Sequence, residues 1–355
     1  MIDVSTKPHS PQDGDAKLTE LHERLVASVE ALVTGNDWKL ALEFAAHFRT
    51  RSFNNALLIW AQHAAAYERG FIQNALPSYV AGFKQWQALG RHVMASQKGY
   101  MILAPLTSRF ATASPADAGS WRRLNRNERP RSGEVVRQRM VGVRPAYVWD
   151  VSQTAGPPIP ERPAPILLRG EAPRGLWDGL AVVVQDAGFT LSTVPDAASL
   201  DGANGRTDFG GRTVAVRADM DAAARVKTLA HELAHIHMHA PDVETLSHRG
   251  IREIEAESVA LMIGAAHGMD TSDYTIPYVS SWASSVADKT ATEVVQETGE
   301  RVRRAAVVIL DQLQTDQIDP GDSLEFGRSK PTPSLTAVVT ATPDLPTGRL
   351  SARSL

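Results

Sequence analysis

The chain has no cysteine among its 355 residues. That excludes a disulfide scaffold, a thiol nucleophile and any zinc or iron–sulfur site with cysteine ligands. A metal, if held, must be held by His, Asp and Glu. Long apolar runs are also missing: no stretch reaches the roughly 18 uninterrupted apolar residues of a membrane helix. The opening residues, MIDVSTKPHSPQDGD, lack the apolar centre of a signal peptide. The expectation is a cytoplasmic protein with no membrane partner. A large excess of either charge is absent too. The net charge of −3 gives no hint of a nucleic-acid partner, although an average can hide a basic region.

What is present is ordinary. Hydrophobic residues at 43% and charged residues at 22% suit a globular protein. At roughly 150 residues per domain the length suggests two domains and some loose chain. The expected class is α+β, mostly helical, with small β-sheets. Residues 1–15 read as disordered. Leu18, Leu21, Leu25, Val29 and Leu32 then recur at helical steps, with Gly35 placed to end that helix. Helices are expected over Trp38–Phe48 and Asn54–Tyr67, and short strands at His92–Val93, Tyr100–Leu103 and Ala146–Val151.

Residues 106–145 stand apart: nine arginines face only Asp117, Glu128 and Glu134, a local charge of +6. This segment reads as a flexible basic insertion in a surface loop. Prolines 157, 158, 160, 163 and 165 mark a linker near residue 156. That divides the chain into domains at 16–155 and 156–317. The Pro-, Ser- and Thr-rich residues 318–355 form an expected disordered tail.

The sharpest motif is His231-Glu232-Leu233-Ala234-His235, an H-E-x-x-H pattern. Asp219 or Asp221 can cap a helix that carries it through Met238. Residues four apart share a helix face, so both imidazoles can reach one ion. Zn²⁺ suits two neutral imidazoles and a carboxylate, and Glu232 stands where a general base is needed. Mn²⁺ and Fe²⁺ are the competing ions. No third His follows at the metzincin spacing. The next expected helix carries Arg252-Glu253-Ile254-Glu255-Ala256-Glu257. Glu253 and Glu257 share one face, Glu253 as the ligand and Glu257 as an acceptor for a ligand imidazole, or the reverse. Glu255 reads as a surface charge and His239 as a structural histidine. Tyr274 and Tyr278 are candidates for steadying an oxyanion, against simple packing near Pro277.

These residues carry a resemblance. T-L-A-H-E-L-A-H-I-H-M-H followed by R-E-I-E-A-E-S-V-A is similar to the ImmA/IrrE family of metallopeptidases. The resemblance implies a zincin-like domain and gives Glu253, three residues before Ala256, the role of third zinc ligand. The amino-terminal half resembles the ssDNA-binding domain of ArdC-type antirestriction proteins, through S-F-N-N-A-L-L-I-W-A-Q, G-F-K-Q-W-Q-A-L-G-R-H-V and V-W-D-V-S-Q-T-A-G. It implies single-stranded DNA as a partner. Single strands bind where cations follow phosphates and aromatic rings stack on bases, so Arg49, Arg51, Asn55, Lys84, Trp86 and Arg91 are the DNA-binding candidates. The expected function is therefore an antirestriction-type protein that binds ssDNA and cleaves an unknown protein or peptide. Two alternatives remain: a regulatory protease that cleaves a repressor, and a DNA-binding protein whose metal site is only structural.

Overall fold

The computed structural model describes residues 11–32, 34–159, 170–239, 249–271, 274, 276, 279–284, 288–318 and 321. Three helices come first. The first is α1 (Pro11–Glu30), which begins inside the segment expected to be disordered and buries Leu21, Leu25 and Val29 on one face. Next are α2 (Gly35–His47) and α3 (Phe53–Glu68). Gly35 opens α2 instead of closing α1, because Thr34 and Asp37 cap each other's backbone there.

The sheet of this half contains β1 (Val80–Gly82), β3 (Tyr100–Thr112), β4 (Arg122–Arg123) and β5 (Val135–Asp150), in the order β1-β5-β3-β4. Alongside lie α4 (Phe83–Ala88) and the pair β2 (His92–Val93) with β6 (Thr154–Ala155). The Arg-rich segment is therefore not a flexible loop. Leu106–Thr112 continues β3 and Val135–Pro145 belongs to β5, and the two strands pair from Tyr100↔Val148 out to Thr112↔Val135. Val135-Val136-Arg137-Gln138-Arg139 puts one valine and at least one polar residue on each side of the strand, which suits a two-sided exposed strand that composition alone disguised as loop.

The second half begins with α5 (Leu176–Asp186). A three-stranded sheet follows, made of β7 (Thr190–Val194), β8 (Gly205–Asp208) and β9 (Thr213–Arg217), in the order β7-β9-β8. β9 runs parallel to β7 and antiparallel to β8, which leaves β8 at an edge. Then come α6 (Ala222–Met238), α7 (Arg249–Ala266), α8 (Val279–Ala283) and α9 (Ala291–Gln312). No helix among the described residues is long and apolar enough to cross a membrane.

The core runs without a break through both halves. Trp38 on α2 is fully buried, packs its ring on Phe53 and Trp282, and donates its indole N–H to Ser258 Oγ on α7 at 3.0 Å. Glu300 on α9 ties the same region together. It accepts from the Phe53 backbone N–H at 3.0 Å and from Arg303 and Arg304 at 2.9 Å each. Burial alone would raise the Glu300 pKa, but these donors outweigh it and hold it at about 2 instead of the usual 4.5. A carboxylate depressed in the folded state stabilises above its unfolded pKa and loses that contribution as the pH falls through its folded one. About 2 kcal/mol of stability, after allowance for partial solvent screening, should therefore disappear between about pH 4.5 and about pH 2. Thermal melts of Glu300→Gln and the unaltered chain, compared at about pH 6 and about pH 3, check this; the variant should lack that part of the acid sensitivity.

Candidate metal centre and candidate nucleic-acid residues

Asp221 caps α6 by accepting from the Ala224 N–H at 2.7 Å, and the helix then runs unbroken to Met238. The 3.6-residue repeat puts His231 and His235 on one face, with their Nε2 atoms 3.1 Å apart. Glu253 on α7 faces both: its Oε2 lies 3.4 Å from His231 Nε2 and 3.8 Å from His235 Nε2. These three are the metal-capable cluster among the described residues. Donor atoms around a tetrahedral zinc, roughly 2.0–2.1 Å from it, sit roughly 3.3–3.4 Å from one another, so this donor set and spacing fit such an ion.

The imidazoles are also held from behind. Glu257 Oε2 is 3.3 Å from His231 Nδ1, and its other oxygen is 2.8 Å from Lys227 Nζ. Burial opposes a charge on His231, but Glu253 and Glu257 outweigh it and lift its pKa to about 9. Both imidazoles hold Glu253 well below the usual carboxylate range. A metal that binds here must therefore displace a proton, and its affinity falls with acid.

Glu255 is a correction. It is 5% exposed, not a surface charge, because α9 packs against α7 at that point. Its Oε2 lies 3.0 Å from His239 Nε2, and its Oε1 accepts from Arg301 Nε at 2.7 Å. His239 in turn places its Nδ1 2.9 Å from His235 Nδ1. Burial would raise the Glu255 pKa, yet His239 and Arg301 hold it down. The chain His235–His239–Glu255–Arg301 thus orients the second imidazole much as Glu257 orients the first.

His231, His235, Glu253 and Glu257 open onto a cleft of about 1230 Å³, which also takes in Glu232 and the edge strand β8. Glu232 is 7% exposed, and its Oε2 accepts from the Thr207 hydroxyl at 2.7 Å. Gly205 makes this approach possible, since a Cβ there would fall 2.7 Å from both Glu232 Oε1 and Thr228 Cγ2. Sequence reading missed Thr207 and Gly205 because nothing local in G-R-T-D marks them; only the packing of β8 on α6 does. Tyr274 takes the packing role that the sequence also allowed. Its ring is buried with Lys227 Nζ 4.0 Å from the centroid, and its hydroxyl donates to the Ala260 carbonyl at 3.2 Å. Its hydroxyl is thus spent on α7, while the residue also lines the cleft. Tyr278 lies outside the described residues.

The six DNA-binding candidates mostly serve the scaffold. Trp86 is fully buried and donates to the Trp149 carbonyl at 3.0 Å. Arg91 is 9% exposed. It donates to Thr154 Oγ1 and to the carbonyls of Thr154, Gly156 and Pro157. Gly156, at φ +144°, is needed beside it because a Cβ would meet Arg91 Cα at 2.8 Å. Asn55 pairs its side-chain amide with both the N–H and the carbonyl of Leu103 at 2.9 Å. Arg49 donates to Ile318 O and Arg51 to Val80 O, both half-buried. Lys84 alone of the six is exposed. The motifs around these residues tie the domain together through these hydrogen bonds.

The fold and the site define a mixed α+β protein with a His/Glu metal-capable centre on an H-E-x-x-H helix. Residues 193–277 match the IrrE N-terminal-like domain of the M78 peptidases, and residues 16–149 match the N-terminal domain of anti-restriction factor ArdC. The chain thus joins an ArdC-type amino-terminal domain to an IrrE-like M78 peptidase domain. An uncharacterized Bacillus anthracis protein, pXO2-81, is 21% identical over 300 residues, which are 79% of this chain and 49% of that one. The chain accordingly spans about half the length of this curated relative. Two crystal structures of the antirestriction protein ArdC from plasmid R388 are each 18% identical, with a TM-score of 0.46. The metal-free one aligns over 82% of this chain and 96% of its own length, the Mn(II)-bound one over 83% and 97%.

Proposed function

We propose that this chain is an antirestriction-type protein that binds single-stranded DNA and carries a zinc-dependent endopeptidase centre. The observation that carries the enzymatic part is the convergence of His231 Nε2, His235 Nε2 and Glu253 Oε2 within 3.8 Å, in the cleft that Glu232 also lines. His231, His235 and Glu253 would hold the ion. When bound, zinc supplies Lewis acidity to a scissile carbonyl and brings the pKa of a water toward neutrality. Glu257 and the His239–Glu255 pair keep the two imidazoles in the orientation that presents Nε2. Glu232, steadied by Thr207, accepts the proton of the attacking water and returns it to the leaving amine. The free edge of β8 beside it offers backbone groups to an extended peptide, which suits a protein or peptide substrate.

Support for the DNA part is the match of residues 16–149 to the ArdC amino-terminal domain. Fluorescence anisotropy with a labelled single strand should show binding that weakens with salt, and its absence at low salt would end this part of the reading. Metal analysis of the purified chain should give about one zinc per molecule, lost in His231→Ala while the melting curve stays cooperative. Manganese or iron at that stoichiometry would correct the ion but not the site.

A further inference from the structure

We infer that one face of the β3–β5 ribbon is the single-stranded DNA contact; this rests on the DNA-binding reading above and gives it a site. Residues directly opposite one another in an antiparallel ladder point the same way, and positions two apart on one strand share a face. Arg123 and Arg137 both lie opposite Phe110, Arg139 lies opposite Ser108, and Arg144 opposite Ala104. Positions 104, 108 and 110 are in phase, so the four arginines share one face. Arg144 reaches it only because of a β-bulge. Thr107 pairs with Met140 and Leu106 with Gly142, which leaves Val141 as the extra residue. Without it, the odd spacing between 139 and 144 would send Arg144 to the other side.

The two faces differ in charge. Arg122 opposes Ala111 on the other face, where it ion-pairs with Glu128 and Glu134; hydrogen bonds from Arg122 and the Arg131 backbone hold Glu134 at about 2. The nearby acids are thereby used up. Arg109, opposite Gln138, shares that face and donates to the Glu128 carbonyl; the face otherwise presents Val136, Met140 and Val143, all exposed. The four arginines of the first face are exposed, and among the described residues none of them is ion-paired.

Aromatic rings order these cations instead. Arg137 and Arg139 lie 5.1 and 4.8 Å from the Trp121 centroid, and Arg139 lies 5.5 Å from that of Phe110. A cation–π contact aligns a guanidinium without neutralising it. Uncompensated cations in a row complement a phosphate backbone. Half-exposed Trp121 and Phe110 among them, with planar guanidiniums, offer surfaces for unstacked bases. A duplex keeps its base faces covered, so the occupant that uses both features is a single strand.

The test is anisotropy of a labelled mixed-sequence oligonucleotide at low salt, with the full chain. The double variant Arg137→Ala/Arg139→Ala should weaken binding about tenfold or more and flatten the salt slope by about 1.4, two phosphates' worth for a single strand. Gln138→Glu/Met140→Glu makes the same change in net charge on the opposite face and should stay within about twofold. Arg144→Ala, which disturbs no aromatic contact, should weaken binding about threefold. Equal losses in the two doubles, an unchanged Arg137→Ala/Arg139→Ala, an unchanged Arg144→Ala, or a duplex that competes as well as the single strand would each overturn the assignment. If the unaltered chain binds no DNA at low salt, the DNA-binding reading itself falls. If it binds and the arginine variants bind equally well, only this location falls.

Discussion

Glu232→Gln is expected to abolish peptide hydrolysis while the fold and the bound metal persist. The substitution is nearly isosteric. The amide oxygen can still accept from Thr207, whose hydroxyl now holds the carboxylate at 2.7 Å, so the burial and packing of α6 on β8 survive. What disappears is a group able to take a proton. Loss of a positioned general base costs about 10²–10⁴-fold in rate. An unbiased peptide library incubated with either protein, and read by mass spectrometry, measures that loss. Zinc content and melting temperature should match those of the unaltered chain. Restriction protection measured in parallel separates the remaining alternatives: full protection by Glu232→Gln would mean that hydrolysis is not how the protein acts and that its metal is structural.

Glu255→Ala should be the most damaging single change near the centre that touches no metal-facing atom. The carboxylate is buried, and it satisfies His239 and Arg301 together. Breaking a buried charged pair by removing one partner costs about 3–5 kcal/mol. Arg301 is partly exposed and can be rehydrated, so the expected loss here is about 2–3 kcal/mol, read as a lower melting temperature. His239 would then lose its acceptor and no longer fix the Nδ1 side of His235. Metal affinity should fall about 10–100-fold, measured by competition with a chelator. Glu255→Gln keeps an acceptor for His239 and should recover part of that affinity. An alanine variant with normal affinity and normal melting would show that the His235–His239–Glu255 chain does no orienting.

Some features could be read from residue order because their geometry is local. A spacing of four on an α-helix puts two imidazoles on one side whatever surrounds them, and an aspartate before the first turn caps it. So the helix of His231 and His235, its start at Asp219 or Asp221 and the face shared by Glu253 and Glu257 are legible in the chain itself. The same holds for the leucine repeat of α1.

Strand features are legible only when both partners are known. The bulge at Val141 decides which way Arg144 points, and the ladder that reveals it joins residues up to 48 positions apart, Tyr100 to Val148. The arginine count was visible in the chain, but that the arginines form one face was not. Burial is likewise a tertiary matter. Asn55, Trp86 and Arg91 resemble nucleic-acid contacts by type, yet their hydrogen bonds go to Leu103, Trp149 and the 154–157 backbone. Glu255 resembles any surface glutamate until α9 closes over it. Residue order by itself determined the metal-capable helices, since i to i+4 geometry needs no partner. Tertiary structure alone decided which polar groups are spent on the scaffold and which stay free for a ligand, because that depends on hydrogen bonds between segments far apart in the chain.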